Sequence, residues 1–148
     1  DWTKLGATGA VLPPDATSWA CVRDNVTGLI WDNKTVKGGI SATANPPAGT
    51  IGQDAAAKAN AALLCGATGW RLPTREELLS IVDYSAPSPG PMIDNSAFEN
   101  TPPASVYWSS STVAGSPAYA WAVDFGTGNS GYSYRNYAGY IRLVRSSR

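Results

Sequence analysis

The chain is 148 residues long, carries 11 Lys and Arg against 11 Asp and Glu, and contains no His. This length suits one domain with its own core, so we predict a single domain over residues 1–148. Zero net charge argues against nucleic-acid binding, and the absence of His removes the usual general base and the commonest metal ligand. We therefore expect no enzyme activity, and no stretch is apolar enough to insert into a membrane.

The N-terminal third of the chain is predicted to form a β-hairpin. Residues 1–18 contain two Gly and two Pro and predict an extended lead-in with a short edge strand. Residues 19–23 and 29–31 are predicted to be strands, and the Asp, Asn and Gly at 24–28 favour a turn between them. Residues 32–50 predict a long polar loop.

Two short helices are predicted in the middle of the chain. Residues 53–64 are rich in Ala, a strong helix former, and Gly66 is placed to cap that helix at its C-terminus. The second helix follows Pro73, where Thr74 and Glu77 match a capping box. The apolar stripe of this helix is predicted at Leu78, Leu79 and Val82.

Three side chains near these helices have alternative interpretations. Arg71 is predicted to pair with Glu77 inside the fold, and direct ligand binding by this arginine is the less favoured alternative. Cys21 and Cys65 are predicted to form a disulfide in an oxidising compartment, and two buried thiols are the alternative. The sequence alone leaves both questions open.

The C-terminal half is predicted to be a long loop followed by antiparallel strands. The loop spans residues 84–105, and Met92, Ile93 and Phe98 are predicted to hold it to the core. Aromatic and small residues alternate along 119–125, which is typical of a strand. Further strands are predicted at 106–111, 131–136 and 140–145, with a turn at 126–129. Two short helices beside a mostly antiparallel sheet with long loops make an α+β domain.

Several motifs, in a fixed order along the chain, carry a resemblance to a known family. They are WACVRDNVTGLIW at 19–31, GWRLPTREELLSIVD at 69–83, YWSSS at 107–111, AWAVDF at 120–125 and IRLVR at 141–145. The sequence resembles the C-terminal domain of the Legionella collagen-like adhesin. The resemblance implies a C-type-lectin-like fold in a secreted or surface-displayed protein. It also implies an adhesin domain that caps a collagen-like stalk, trimerises and binds sulfated glycosaminoglycans or other anionic polysaccharides of host cells or biofilm matrix.

The C-terminal third is the candidate ligand-binding region because it interleaves aromatic, amide and cationic side chains. Residues 101–148 hold four Arg and one Asp, whereas residues 1–100 hold seven Lys or Arg and ten Asp or Glu. Guanidinium groups bind sulfate or carboxylate in a fork geometry, and aromatic faces stack on sugar rings. The predicted ligand-binding residues are Arg135, Arg142, Lys34, Lys37, Tyr134, Tyr137 and Asn136. An ordinary edge strand with exposed Tyr and Arg is the alternative interpretation.

Calcium binding and protein binding are the alternatives to a metal-free glycan site. Asp and Asn side chains in the predicted loops offer hard oxygen ligands, but no EF-hand loop occurs. We therefore predict no cofactor and keep calcium as the less favoured alternative. Five of the tryptophans, Trp121 among them, are predicted to lie in the core or half-buried. The alternative function is a trimerisation or protein-binding module without a glycan role.

Overall fold

The computed structural model describes residues 1–33, 50–88, 90–99, 101, 106–134 and 139–147, with only the backbone described at 50–54. Within these ranges the chain forms antiparallel sheets and two short α-helices, which confirms the α+β class. In chain order the elements are β1 (Trp2–Leu5), β2 (Cys21–Asp24), β3 (Ile30–Asp32), α1 (Thr50–Ala61), α2 (Arg75–Ser80), β4 (Val106–Val113), β5 (Ser116–Asp124), β6 (Asn129–Tyr134) and β7 (Val144–Arg145).

The strands are divided between two sheets, of order β1-β2-β3-β7 and β4-β5-β6. The last predicted strand, 140–145, is divided between them. Tyr140 donates its backbone N–H to the Val106 carbonyl at 2.8 Å and accepts from the Trp108 N–H at 3.0 Å, so it belongs with the second sheet. Val144 pairs with Trp31 in the first sheet. Within residues 140–145, regular strand pairing is therefore limited to β7, because the residues before β7 pass from the second sheet to the first.

The predicted hairpin is confirmed as β2 and β3. Asp24 shapes its turn, since its carboxylate accepts hydrogen bonds from the Val26 N–H at 2.9 Å and the Thr27 hydroxyl at 2.8 Å. Gly28 adopts φ = 78°, a left-handed conformation that disfavours side chains. The turn therefore follows from local chemistry between residues close in sequence.

Helix α1 ends three residues before the predicted position at Leu64. Beyond Ala61, Leu63 and Cys65 adopt left-handed backbone angles, with φ = 51° and 50°. This path brings Cys65 to Cys21 of β2, and the two form a disulfide with Cα atoms 6.5 Å apart. Gly66, predicted as the cap of α1, instead lies in a short 3-10 turn against the backbone of Thr8, where a Cβ atom would stand 2.3 Å from the carbonyl oxygen.

The capping box of α2 is confirmed. The Thr74 hydroxyl accepts from the Glu77 N–H at 3.2 Å, and the Glu77 carboxylate accepts from the Thr74 N–H at 2.8 Å. Arg71 forms two further hydrogen bonds with that carboxylate, at 2.7 and 2.8 Å. The predicted Arg71–Glu77 pair is therefore confirmed. The backbone of Arg71 also exchanges two hydrogen bonds with Val144, both 2.9 Å long, so this segment attaches α2 to β7.

One core cluster joins both sheets, α2 and the loop that follows it. Met92, Ile93 and Phe98 are buried, which confirms their predicted role in holding that loop. The first sheet contributes Trp31, and the second contributes Tyr107. No helix in the described ranges is long and apolar enough to cross a membrane.

We expect the disulfide to stabilise the fold strongly, because it closes a loop with a sequence separation of 44. Replacing both cysteines, as in Cys21→Ala/Cys65→Ala, should lower the free energy of unfolding by about 4 kcal/mol through the added freedom of the unfolded chain. Urea unfolding monitored by circular dichroism measures this loss. A reducing agent should lower the midpoint of the native protein but not that of the double variant. An unchanged midpoint in the double variant would contradict the prediction.

Glu77 should make stability depend on pH. The hydrogen bond from Arg71, together with those from Thr74, holds the pKa of the Glu77 carboxyl below its usual value despite partial desolvation, which raises it. The folded chain therefore binds fewer protons at this site than the unfolded chain. The stabilisation that ionised Glu77 contributes is fully present above the unfolded-state pKa of about 4.3. It is lost as pH falls through the lower folded-state pKa.

The variant Glu77→Gln should be less stable than the native chain at neutral pH by about 1 kcal/mol. This figure is modest because 42% of the Arg71 side chain is exposed, so solvent screens the pair. The difference between the two proteins should shrink in acid, as measured by urea unfolding across a pH series. Glu76→Gln, which changes an exposed carboxylate in the same turn, is the control and should cost about 0.3 kcal/mol. A difference that is constant from neutral to acid pH would refute this assignment.

Candidate functional site

Four aromatic side chains form a partly exposed surface on the second sheet, here called the aromatic patch. Tyr119 and Trp121 lie on β5, and Tyr132 and Tyr134 lie on β6. The strand register places Tyr119 opposite Tyr134 and Trp121 opposite Tyr132, so all four share one face. Tyr132 is 58% exposed and Tyr134 is 44% exposed, whereas the two β5 residues are half-buried. This exposure makes the patch a candidate binding surface.

The rings of the aromatic patch contact one another in sequence. Trp121 meets Tyr132 edge-on with ring centroids 5.3 Å apart, and Tyr132 meets Tyr119 edge-on at 5.7 Å. Tyr119 and Tyr134 stack at 4.3 Å with an interplanar angle of 30°. Edge-on and stacked contacts hold each ring in position, and they add to the stabilisation that comes from burying the ring surface. The patch is therefore pre-organised by its own side chains.

Arg75, the first residue of α2, borders the aromatic patch. Its guanidinium carbon lies 4.2 Å from the centroid of Trp121, a cation–π contact. The Arg75 Nε donates to the Ser130 hydroxyl at 3.1 Å, and its backbone N–H donates to the Ser111 hydroxyl at 3.0 Å. Within the described residues, the structure contains no hydrogen-bond partner for the two terminal nitrogens of Arg75. One edge of a positioned guanidinium is thus available to an anion.

The aromatic patch is open because α2 covers only part of the face. Val123 continues the face of Tyr119 and Trp121 along β5 and is fully buried in the main core, to which α2 contributes Leu78. Helix α2 is six residues long and begins at the border of the patch. The covered end of the face is therefore apolar core, and the uncovered end carries the aromatic residues with polar hydroxyl and indole N–H groups.

The model of the Lcl C-terminal domain family matches residues 20–145 of this chain. The chain belongs to the Lcl C-terminal domain family. No curated protein matches the sequence. The matched range of this Lcl domain contains α2, β5 and β6, so the whole aromatic patch and Arg75 lie within the family region.

The structure places Arg142 in the interior of the Lcl domain and not on a ligand-accessible surface. Its side chain is 0% exposed. The guanidinium donates to the Asp32 carbonyl and to the Thr101 hydroxyl, each at 2.9 Å, and lies 5.0 Å from the Phe98 ring. A glycan cannot reach this group without unfolding the surroundings. The sequence-based prediction that Arg142 contacts a ligand therefore requires correction, and the residue has a structural role.

The environment of Arg142 also affects Tyr107. Burial raises the pKa of the Tyr107 phenol to about 12, although the nearby guanidinium acts in the opposite direction. The phenol thus stays neutral throughout the physiological range. Tyr107 is therefore a core residue whose phenol does not lose its proton in that range.

Of the other predicted ligand-binding residues, Tyr134 lies in the aromatic patch. Arg135, Asn136 and Tyr137 follow it in the sequence but lie outside the described residues, as do Lys34 and Lys37. Ligand binding by these five residues remains a prediction from the sequence. The described residues contain no group of three or more His, Cys, Asp or Glu arranged to hold a metal ion.

The predicted ligand-binding residues do not include Arg75, Tyr119, Trp121 or Tyr132. In the sequence, Arg75 lies at the predicted start of the second helix, and Trp121 is predicted to lie in the core or half-buried. A signal was present, because aromatic residues alternate on two predicted strands joined by a turn at 126–129. Antiparallel pairing of such strands brings alternating residues together on one face.

We expect Arg142 to contribute to stability rather than to ligand binding. Arg142→Ala should lower the free energy of unfolding by about 3 kcal/mol, because it removes buried charge-assisted hydrogen bonds and opens a cavity. Urea unfolding is the measurement. Arg145→Ala is the matched control, since Arg145 donates to the Thr68 carbonyl at an exposed position, and it should cost less than about 1 kcal/mol. An Arg142→Ala protein with native stability would overturn the structural role.

Proposed function

We propose that this Lcl C-terminal domain is the non-catalytic binding head of a secreted or surface-displayed bacterial adhesin. On this proposal it binds anionic polysaccharides of host cells or biofilm matrix, sulfated glycosaminoglycans among them, and does so as a homotrimer. Membership of the Lcl family supports the adhesin context. The C-type-lectin-like arrangement implied by the sequence motifs is part of the same proposal.

One observation supports polysaccharide binding more than any other: Arg75 stacks on Trp121 at the border of an exposed aromatic patch. Sugar rings present C–H faces that stack on aromatic rings, and their acidic substituents accept hydrogen bonds from guanidinium. The two kinds of contact occur side by side here.

A trimer would present three copies of a weak binding site. A ligand with repeated sugars allows several copies of the site to bind one chain, and the second and third contacts then form at a high effective concentration. This favours display on a trimer over a single tight site. We also propose that binding needs no calcium.

The test is binding of the domain to immobilised heparin and chondroitin sulfate, from roughly 0.01 M to 1 M salt, with the oligomeric mass recorded in the same buffer. We expect trimeric protein that binds at low salt and releases as salt rises, with no change on adding a calcium chelator. Binding by a monomer would refute the part of the proposal that requires a trimer. The absence of binding at the lowest salt would refute the polyanion function and favour the alternative of a protein-binding module.

A further inference from the structure

The aromatic patch has two levels along its strands. Trp121 and Tyr132 form the inner rung, next to Arg75, and Tyr119 and Tyr134 form the outer rung. The rungs are two residues apart on each strand, which corresponds to about 6.8 Å. This spacing is comparable with the length of one sugar ring in a chain. Each rung therefore suits one ring of an oligosaccharide that runs along the strands.

The orientation of the rings also limits the ligand. Tyr132 stands at interplanar angles of 83° and 81° to its neighbours Trp121 and Tyr119, whereas the Tyr119 and Tyr134 rings are only 30° apart. The patch thus presents ring faces in two directions and has no single flat plane. A chain of puckered sugar rings can follow such a stepped surface, but a rigid planar ligand would contact only one step.

Among the described residues, an anionic group of a ligand has one cationic partner at the patch. Arg75 is the cation that contacts these rings in the described part of the chain. Arg71 is paired with Glu77, and Arg142 is buried. Glu76, the residue after Arg75, is exposed and adds a negative charge to the same turn. An anionic substituent on the sugar at the inner rung therefore has Arg75 as its partner.

We propose that the aromatic patch binds an acidic oligosaccharide, with one sugar ring on each rung and a carboxylate or sulfate held by Arg75. This inference rests on the polysaccharide function proposed above and assigns it to a site. Stacking supports both sugar rings, and the ionic contact with Arg75 fixes the position of the acidic ring at the inner rung.

Binding to fragments of equal length tests the proposal with the full chain and isothermal titration calorimetry. The fragments are hyaluronan, which bears a carboxylate on alternate rings, a densely sulfated heparin fragment and a neutral cellulose fragment. The variants are Tyr132→Ala, which truncates the most exposed ring of the patch, and Arg75→Gln, which removes the charge. Tyr84→Ala is the control because Tyr84 is 66% exposed and lies outside the patch. Unfolding midpoints show that each variant is folded.

We expect the hyaluronan fragment to bind, and Tyr132→Ala to weaken its binding by about tenfold. Arg75→Gln should also weaken binding and should make the remaining affinity nearly independent of salt, because stacking is not screened by ions. Tyr84→Ala should bind as the native chain does. The neutral cellulose fragment should bind more weakly than the hyaluronan fragment.

Different failures separate this inference from the general function. Heparin binding with a steep salt dependence, unaffected by Arg75→Gln and Tyr132→Ala, would leave the adhesin proposal standing and overturn the patch as its site. Equal binding of the cellulose fragment would refute the role of the anionic substituent. If neither acidic fragment binds at low salt, both proposals fail.

Discussion

The ion pair between Arg71 and Glu77 fixes the short segment on which both sheets and the aromatic patch depend. The backbone of this segment contacts the first sheet through Val144, and the Pro73 carbonyl accepts from the Ser110 N–H of the second sheet at 2.8 Å. A bidentate arginine–carboxylate pair adds geometric specificity to its energy. Because the same carboxylate caps α2, the pair also sets where that helix begins. The start of α2 in turn decides how much of the second sheet stays uncovered and where Arg75 meets the patch.

Features that depend on neighbours in the sequence could be predicted, and those that depend on the meeting of distant segments could not. Thr74 and Glu77 are three residues apart, so their capping box is visible in the sequence. The end of α1 depends on Asn60, whose side chain binds both backbone groups of Trp70 at 2.8 and 3.1 Å. No local pattern reveals that contact. Trp121 alternates with small residues as a core residue would, and only the short length of α2 leaves its end of the face open.

Arg142 lies where the chain crosses between the two sheets. Side chains there do not alternate between buried and exposed positions as they do in a regular strand. Ile141 and Leu143 are buried with it, so three consecutive residues face protein. Burying a guanidinium is expensive unless its donors are satisfied. Here two donors bind the Asp32 carbonyl and the Thr101 hydroxyl, while Nε has no partner among the described residues. Asp32 ends β3, and Thr101 lies between α2 and β4 in the sequence. This one buried cation therefore joins two distant segments, a role that hydrophobic packing alone would fill with less geometric control.

On the proposed function, the balance between stacking and charge would decide how strongly the domain attaches to a surface. A site dominated by ion pairs loses affinity as salt screens it, whereas stacking on four aromatic rings persists at physiological ionic strength. A single patch of this size nevertheless supports only weak binding, since much of the contact energy offsets the lost freedom of a flexible sugar chain. On the proposed function, repetition on both partners would resolve this limit. A polysaccharide repeats its rings, and a domain displayed in several copies would repeat its patch, so that weak contacts would add up to firm yet reversible attachment. The zero net charge of the chain would then limit non-specific adsorption to other polyanions.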